Sequence, residues 1–425
     1  MKIAVIGTGI AGNVAAWHLC KEHEITAFEA GNHVGGHTHT HDIVHNAKHY
    51  AIDTGFIVFN DWTYPNFIAL LDELGVESRP TDMSFSSSCN TSGIEYNGCS
   101  LNGLFAQRRN LFKPRFHGMI RDILRFNRES RGLLDTNNES LSLGDYLRDS
   151  DYGRLFINNY IIPMGAAIWS TDPQQMLAFP ACYFVRFFAN HGLLNIMDRP
   201  QWRVIKGGSR EYVKALTAPW RNRIRLNEAV VSVKRQPTHV ELRTAAGVTE
   251  HFDYLFIASH SDQALAMLSD PTQTEREVLG AIPYQRNDVV LHTDTSLLPK
   301  TKRAWAAWNY MRRGADNGRV SVTYNMNILQ NLDAPETFCV TLNDTQNITP
   351  DKIIRRMQYQ HPTFTTAGVA AQQRQDDING KCRTWYCGAY WRYGFHEDGV
   401  VSALNALQNF KVRNEYAQST LRRAG

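Results

Sequence analysis

After Lys2 the chain runs apolar without a break to Ile6, and 2–6 suits a strand buried on both faces of a parallel sheet. Gly7, Gly9 and Gly12 follow at once, and 10–23 continues with the apolar spacing of a helix. A second short run, 25–28, ends at Glu29 and reads as a second strand. Farther along, 64–74, 115–134 and 142–160 carry apolar positions at helical spacing, so the interval up to residue 200 is expected to be mainly helical. The segments 224–233 and 240–259 read as strands, as do 288–293, 319–325 and 338–342. No internal repeat or low-complexity tract interrupts them.

The strand, glycine turn and helix at the amino terminus have the order that seats a dinucleotide. Gly7 permits the tight turn, Gly9 lets the backbone approach a diphosphate, and Gly12 lets the helix pack closely on the strand. Ile10 and Ala11 then place their amides in the first helical turn, facing the diphosphate. Glu29, twenty residues after Gly9, can accept hydrogen bonds from a ribose diol and disfavours a ribose 2′-phosphate. FAD and NAD share this opening, so residues beyond Ala30 must separate them.

Composition narrows the class. The 425 residues are 43% hydrophobic and 20% charged, ordinary globular usage that excludes a disordered or collagen-like chain. A formal charge of +4 is too small for wholesale nucleic-acid binding, so no nucleic-acid partner is expected. The 7 cysteines include no C-x-x-C pair, which argues against a disulfide scaffold or a structural zinc site. His33, His37, His39, His41, His45 and His49 invite a metal reading, but no carboxylate or thiolate spacing completes a site and no metal is expected. No apolar run approaches the roughly 18 residues of a membrane span, and the expectation is a cytoplasmic protein.

Gly35 and Gly36, followed by His37 and Thr38, form a second glycine pair after the acid. Here the chain resembles the large FAD fold that includes flavin amine oxidases, protoporphyrinogen oxidases and carotenoid desaturases. That family usually has Arg where His37 stands. Asp53, Gly55 and Phe56 resemble its next FAD-contacting stretch, and VIKGGS (204–209) its later glycine turn, with Val230 at the position whose backbone meets adenine. Residues 385–407 resemble the terminal FAD motif: Gly388 and Gly399 fit, whereas Ala389 replaces the usual acid. Asp398, Gly399 and Val400 open the helix of that motif, whose amino terminus would favour a reduced, anionic flavin. Glu397 and Asp398 also read as plain helix-start acids.

The resemblance implies an α/β protein, a Rossmann-like FAD-binding domain (1–59, 201–269, 375–425) interleaved with an α+β substrate domain (60–200, 270–374) that mixes helices and sheet. Non-covalent FAD is the implied cofactor, and the activity an FAD-dependent oxidoreductase removing hydride from a hydrophobic substrate. The closing GFHEDG string is similar to a bacterial subgroup encoded beside cyclopropane-fatty-acid synthases, some of whose members desaturate acyl chains for furan fatty acids. A membrane acyl lipid is therefore the expected substrate. Flavin amine oxidation and a non-catalytic FAD-binding redox sensor are the alternatives. The family's amine oxidases place a lysine near the flavin on the strand expected at 284–291, and none stands there. Two aromatic groups, Trp305, Trp308 and Tyr310, then Trp385, Tyr386, Tyr390, Trp391 and Tyr393, are expected to wall an apolar cavity. No catalytic base is assigned; His396, at the flavin helix, is a candidate proton shuttle or a wall residue.

One surface feature stands apart from the cofactor motifs. Residues 107–131 hold eight basic residues against two acids, with Arg121, Arg125 and Arg128 expected along one helical face. Such a face suits peripheral contact with an anionic membrane, here the inner face.

Overall fold

Alternate side chains of the first strand enter different layers, which is why its sequence is apolar without alternation. Ile3 and Val5 of Lys2–Ile6 lie under the helices Ile10–Leu19 and His396–Ala424, while Ala4 and Ile6 pack with Val233, Leu242 and Phe252 on the other side. The structure, a computed structural model, describes residues 1–135, 140–169, 173–314 and 321–424. Lys2–Ile6 pairs in parallel with Glu24–Phe28 and Tyr254–Ile257, and Ile224–Arg225 and Thr384–Tyr386 complete a five-stranded parallel sheet. An antiparallel trio, Val230–Arg235, Val240–Thr244 and Thr249–Phe252, covers its second face with the helices Ser261–Met267 and Gln273–Gly280.

A seven-stranded sheet forms the other half, in the order Ile353–Pro362, Tyr284–His292, Cys339–Leu342, Ser321–Asn325, Trp308–Arg312, Phe85–Cys89 and Ile94–Asn97. Its neighbours run antiparallel except Trp308–Arg312 and Phe85–Cys89. The last two strands fall in the interval expected to be helical. The serine run conceals them: Ser86, Ser87 and Ser88 are buried without apolar alternation, Ser86 donating to Asn309 at 2.8 Å, and Gly93 turns the hairpin at φ +63°. Residues 319 and 320 of the expected strand 319–325 lie outside the described residues, and the remainder is Ser321–Asn325.

Three expected elements change extent. The helix after the glycine turn stops at Leu19 rather than continuing to residue 23. The helix expected over 142–160 breaks into Leu143–Asp149, Arg154–Phe156 and a wider turn at Ile157–Ile161, because Asp151 takes φ 50° and the Gly153 N–H is held by Asp122 at 3.0 Å. The strand expected over 224–233 divides at Asn227, φ 55°: its start joins the parallel sheet, and Val230–Arg235 starts the antiparallel trio. The hairpin Thr40–His45 with Lys48–Asp53 went unforeseen; Asn46 and Ala47 supply the two positive φ angles of its tight turn.

Among the described residues, no helix is long and apolar enough to cross a membrane.

Candidate active site

A cavity of about 920 Å³ opens between the two sheets. One end begins where the first strand meets its helix, at Gly7, Gly9, Ile10 and Ala11. Gly12 lies beneath this turn, and a Cβ there would come 1.9 Å from the Gly7 carbonyl oxygen. Gly9 is the opposite case: a Cβ on it would meet nothing within 4 Å, because the space above it is the cavity. As at any helix start, the first-turn amides lack intrahelical acceptors and carry the positive end of the dipole.

Glu29 and Ala30 line the same end, together with Glu228 and Val230. The Glu29 carboxylate is already engaged locally. Oε2 accepts the Thr8 N–H at 3.0 Å and the Thr8 hydroxyl at 2.6 Å, and Oε1 accepts the Gly31 N–H at 2.8 Å. Glu29 therefore builds the turn as well as facing the space a ribose would occupy. Gly35 and Gly36 close over Gly9, and Gly55 lies so near that its Cβ would sit 2.0 Å from the His37 carbonyl oxygen. Behind them the buried Asp53 accepts the Ser209 N–H at 3.0 Å and hydroxyl at 2.8 Å, which fastens the 207–209 glycine turn to this wall. Burial raises its carboxyl to about 6.

His37 meets two histidines that sequence reasoning missed. Its ring lies 5.4 Å from that of His361 and 6.1 Å from that of His260, which stacks on Tyr284 at 4.5 Å. His37 Nε2 and His260 Nδ1 are buried without a hydrogen-bond partner. Desolvation is the main cause that lowers His37 and His260 to about 4 and His361 to about 3, so all three are neutral near pH 7. On the far side of the loop the His39 ring stacks on His33 at 4.0 Å and lies tilted against His41 at the same distance. Among the described residues no group of His, Cys, Asp and Glu is arranged to hold a metal.

At the carboxyl-terminal motif Gly388, Tyr390 and His396 line the cavity, beside Phe56. The His396 ring stacks on Phe56 at 3.5 Å, and its Nε2 shares hydrogen bonds with the Thr38 hydroxyl at 3.0 Å and the Tyr212 hydroxyl at 2.9 Å. Burial lowers its pKa well below the usual value. These contacts favour a wall residue over a proton shuttle. The helix begins at His396, one turn before Gly399, and its two acids act as caps. Glu397 accepts the Phe67 N–H at 2.9 Å, and Asp398 accepts the Phe395 N–H at 2.9 Å, with burial raising Asp398 to about 7. Gly399 lets this helix cross the first one, since a Cβ would lie 2.6 Å from Ile10, and Val400 is in the core.

Of the anticipated cofactor residues and His396, fourteen thus line the cavity: Gly7, Gly9, Ile10, Ala11, Glu29, Ala30, Gly35, Gly36, His37, Gly55, Phe56, Val230, Gly388 and His396. Gly12, Thr38, Asp398, Gly399 and Val400 stand one layer behind it, as packing or hydrogen-bond supports.

The far end is apolar and aromatic, with Met83, Ile168, Trp169, Trp202, Trp308 and Leu329 on its walls. Of the aromatic residues anticipated there, Trp308, Tyr390 and Tyr393 reach the cavity. Trp305, Tyr310, Trp385, Tyr386 and Trp391 do not; Trp385 stacks on Phe256 in the core. Tyr284–His292 contributes only Tyr284, and among the described residues no lysine or arginine lines the cavity. Trp202 and the strand Ile353–Pro362, which supplies Tyr359 and His361, also escaped the sequence reading. Period-two placement of Met357, Tyr359 and His361 was the signal available for that strand.

The sequence profile of the family described as flavin containing amine oxidoreductase matches residues 10–408. No curated protein is significantly similar in sequence. Among solved structures the chain is similar to cyclohexylamine oxidase from Brevibacterium oxydans IH-35A, with a TM-score of 0.70, 15% identity, and coverage of 98% of this chain and 99% of that one. It is also similar to putrescine oxidase bound to putrescine, with a TM-score of 0.70 and 13% identity over 97% of this chain and 99% of that chain. A CLA-producing fatty acid isomerase from P. acnes gives a TM-score of 0.67 and 16% identity over 96% of this chain and 98% of that chain. At these identities the likeness is one of fold.

Proposed function

Because the chain belongs to the flavin containing amine oxidoreductase family, we propose that this FAD-dependent oxidoreductase dehydrogenates an acyl lipid, whose chain occupies the aromatic end of the cavity. The residues present fit FAD. Gly9 leaves open space for a diphosphate, and His37 Nε2, His260 Nδ1 and the Tyr390 hydroxyl are buried polar atoms awaiting partners. Gly7, Gly9, Ile10, Ala11, Gly35 and Gly36 would hold the diphosphate, Glu29 the ribose, and Phe56, Gly388 and His396 would border the flavin. When bound, FAD supplies the two-electron acceptor.

The observation that carries the substrate class is the charge of the cavity. Apart from Glu29 and Glu228 at the nucleotide end, the described residues of its walls include no carboxylate, lysine or arginine. The titratable groups at the flavin and substrate end are neutral near pH 7: burial lowers His361 to about 3 and raises Tyr359 to about 12. An ammonium brought here would be desolvated without a counter-charge, at a cost of several kcal/mol. A hydrocarbon chain has no such cost and gains from the walls of Met83, Ile168 and Trp202. The solved fatty acid isomerase is a protein of this fold named for an acyl substrate.

The second reading is oxidation of a hydrophobic monoamine entering uncharged, and the tyrosines Tyr359, Tyr390 and Tyr393 on the cavity wall favour it. Anaerobic bleaching of the flavin absorbance separates the two. Acyl phospholipid dispersions should bleach it, whereas putrescine and benzylamine should not. Faster bleaching by benzylamine would establish the amine reading, and bleaching by neither would leave the sensor reading.

A further inference from the structure

The strongest unassigned feature lies on the surface, where residues 99–121 contain Arg108, Arg109, Lys113, Arg115 and Arg121 and no acid. The short helix Leu101–Leu104 and the turn Arg108–Phe112 form one corner, joined because Arg108 donates to the Asn102 side chain at 2.5 Å and to the Phe105 carbonyl at 2.9 Å. Three large apolar side chains project from this corner: Phe112 is 86% exposed, Leu101 78% and Leu111 43%. Phenylalanine is rarely so bare on a soluble surface without a role.

The cations around it keep their charge available. Arg108 and Arg109 bond only to neutral oxygens, the latter to the Gly93 carbonyl at 2.8 Å. Lys113, Arg115 and Arg121 have no ion-pair partner among the described residues. The acids nearest in sequence, Glu95 and Asp122, are buried; Glu95 accepts the Lys300 and Thr301 amides, and Asp122 the Gly153 N–H.

The basic face anticipated through Arg121, Arg125 and Arg128 is partly engaged within the protein. Arg125 lies over the Tyr152 ring at 4.0 Å and donates to the Ser150 carbonyl, while Arg128 pairs with Glu129 at 3.0 Å. The helix Pro114–Glu129 also buries Phe116, Met119 and Phe126 in the core, so these side chains are not free to enter a bilayer.

We propose that this corner docks the protein on an anionic lipid bilayer, with Leu101, Leu111 and Phe112 entering the headgroup region and the five cations around them facing lipid phosphates. Apolar side chains ringed by lysine and arginine complement both the interior and the charge of such a surface. The docking stands on these side chains alone and is independent of what the cavity oxidises.

Flotation of the holoprotein with phosphatidylglycerol–phosphatidylcholine vesicles tests it, with flavin absorbance as the check on folding. The wild type should float with anionic vesicles, release as salt rises, and stay down with pure phosphatidylcholine. Leu101→Ser with Phe112→Ser, and separately Arg115→Gln with Arg121→Gln, should each weaken binding by about tenfold or more while keeping the flavin spectrum. Arg128→Gln should float as the wild type does. Failure of the wild type to float at low salt, equal binding to neutral vesicles, or variants that bind unchanged would each overturn the docking. So would a stable dimer lost on Phe112→Ser without vesicle binding, since the corner would then be a self-association surface.

Discussion

Two glycines three residues apart should fail in opposite ways. Gly9 has φ −66° and ψ −179°, a conformation open to any residue, and its Cβ would enter open space. Gly9→Val should leave the apoprotein folded, with stability changed by less than about 1 kcal/mol. The valine would occupy the place a diphosphate needs. Losing two charge-assisted amide contacts, each about 1.5–3 kcal/mol, would weaken FAD binding by a factor of roughly 10²–10⁴. Gly12→Ala puts a methyl 1.9 Å from the Gly7 carbonyl oxygen and 3.1 Å from the Ala258 Cβ. The helix must shift by more than 1 Å, roughly, at a cost of about 1–3 kcal/mol or more. The assay is a pair of measurements on each apoprotein, thermal unfolding and flavin-fluorescence titration with FAD. Gly9→Val should keep its Tm and lose FAD; Gly12→Ala should lose Tm whether or not FAD is present. Wild-type FAD affinity in Gly9→Val would refute the placement of the diphosphate above this turn.

Two further outcomes follow from the same wall. Glu29→Gln should lower the Tm of the apoprotein as well as FAD retention, by about 1–3 kcal/mol, because its amide cannot accept both the Thr8 and Gly31 N–H groups; an unchanged apo Tm in calorimetry would restrict Glu29 to the ribose. His37, His260 and His361 have folded pKa values near 4, 4 and 3, depressed by burial below the ordinary histidine value of 6.5. The unfolded chain therefore binds more protons between those limits, and their contribution to stability is complete above about pH 6.5 and lost as pH falls toward 4. Each contributes about 1.4 kcal/mol per pH unit in that window. Denaturant titrations of the apoprotein should show a shallower acid slope in a His37→Asn, His361→Asn double variant, and an identical slope would show that these rings are not desolvated.

What the sequence disclosed was whatever chemistry is local in sequence. Gly7, Gly9 and Gly12 act through the backbone over six residues, so spacing alone placed them, and Gly35 and Gly36 were found in the same way. The imidazole group was invisible because its members arrive from three places. His37 follows a glycine turn, His260 begins the helix Ser261–Met267, and His361 is carried in by the pairing of Ile353–Pro362 with Tyr284–His292. No window of sequence contains that register. Asp398 and Gly399 show the converse ambiguity. Their positions in the terminal motif were legible, but a capping carboxylate and a helix-crossing glycine leave the same trace in sequence as ligand contacts.

The same electrostatic cost orders the inside and the outside of this protein. A cation enclosed with no counter-charge costs several kcal/mol, whereas one at the surface costs little and attracts anions over about a Debye length. Position 37 carries a neutral imidazole where the family usually has arginine, and no cation among the described residues lines the cavity. Affinity for a diphosphate must then come chiefly from main-chain amides and the helix start, which are polar without net charge. The cations are found instead at the 99–121 corner, beside exposed apolar side chains. The cavity and the corner share no residue, so the same cost shapes each of them separately.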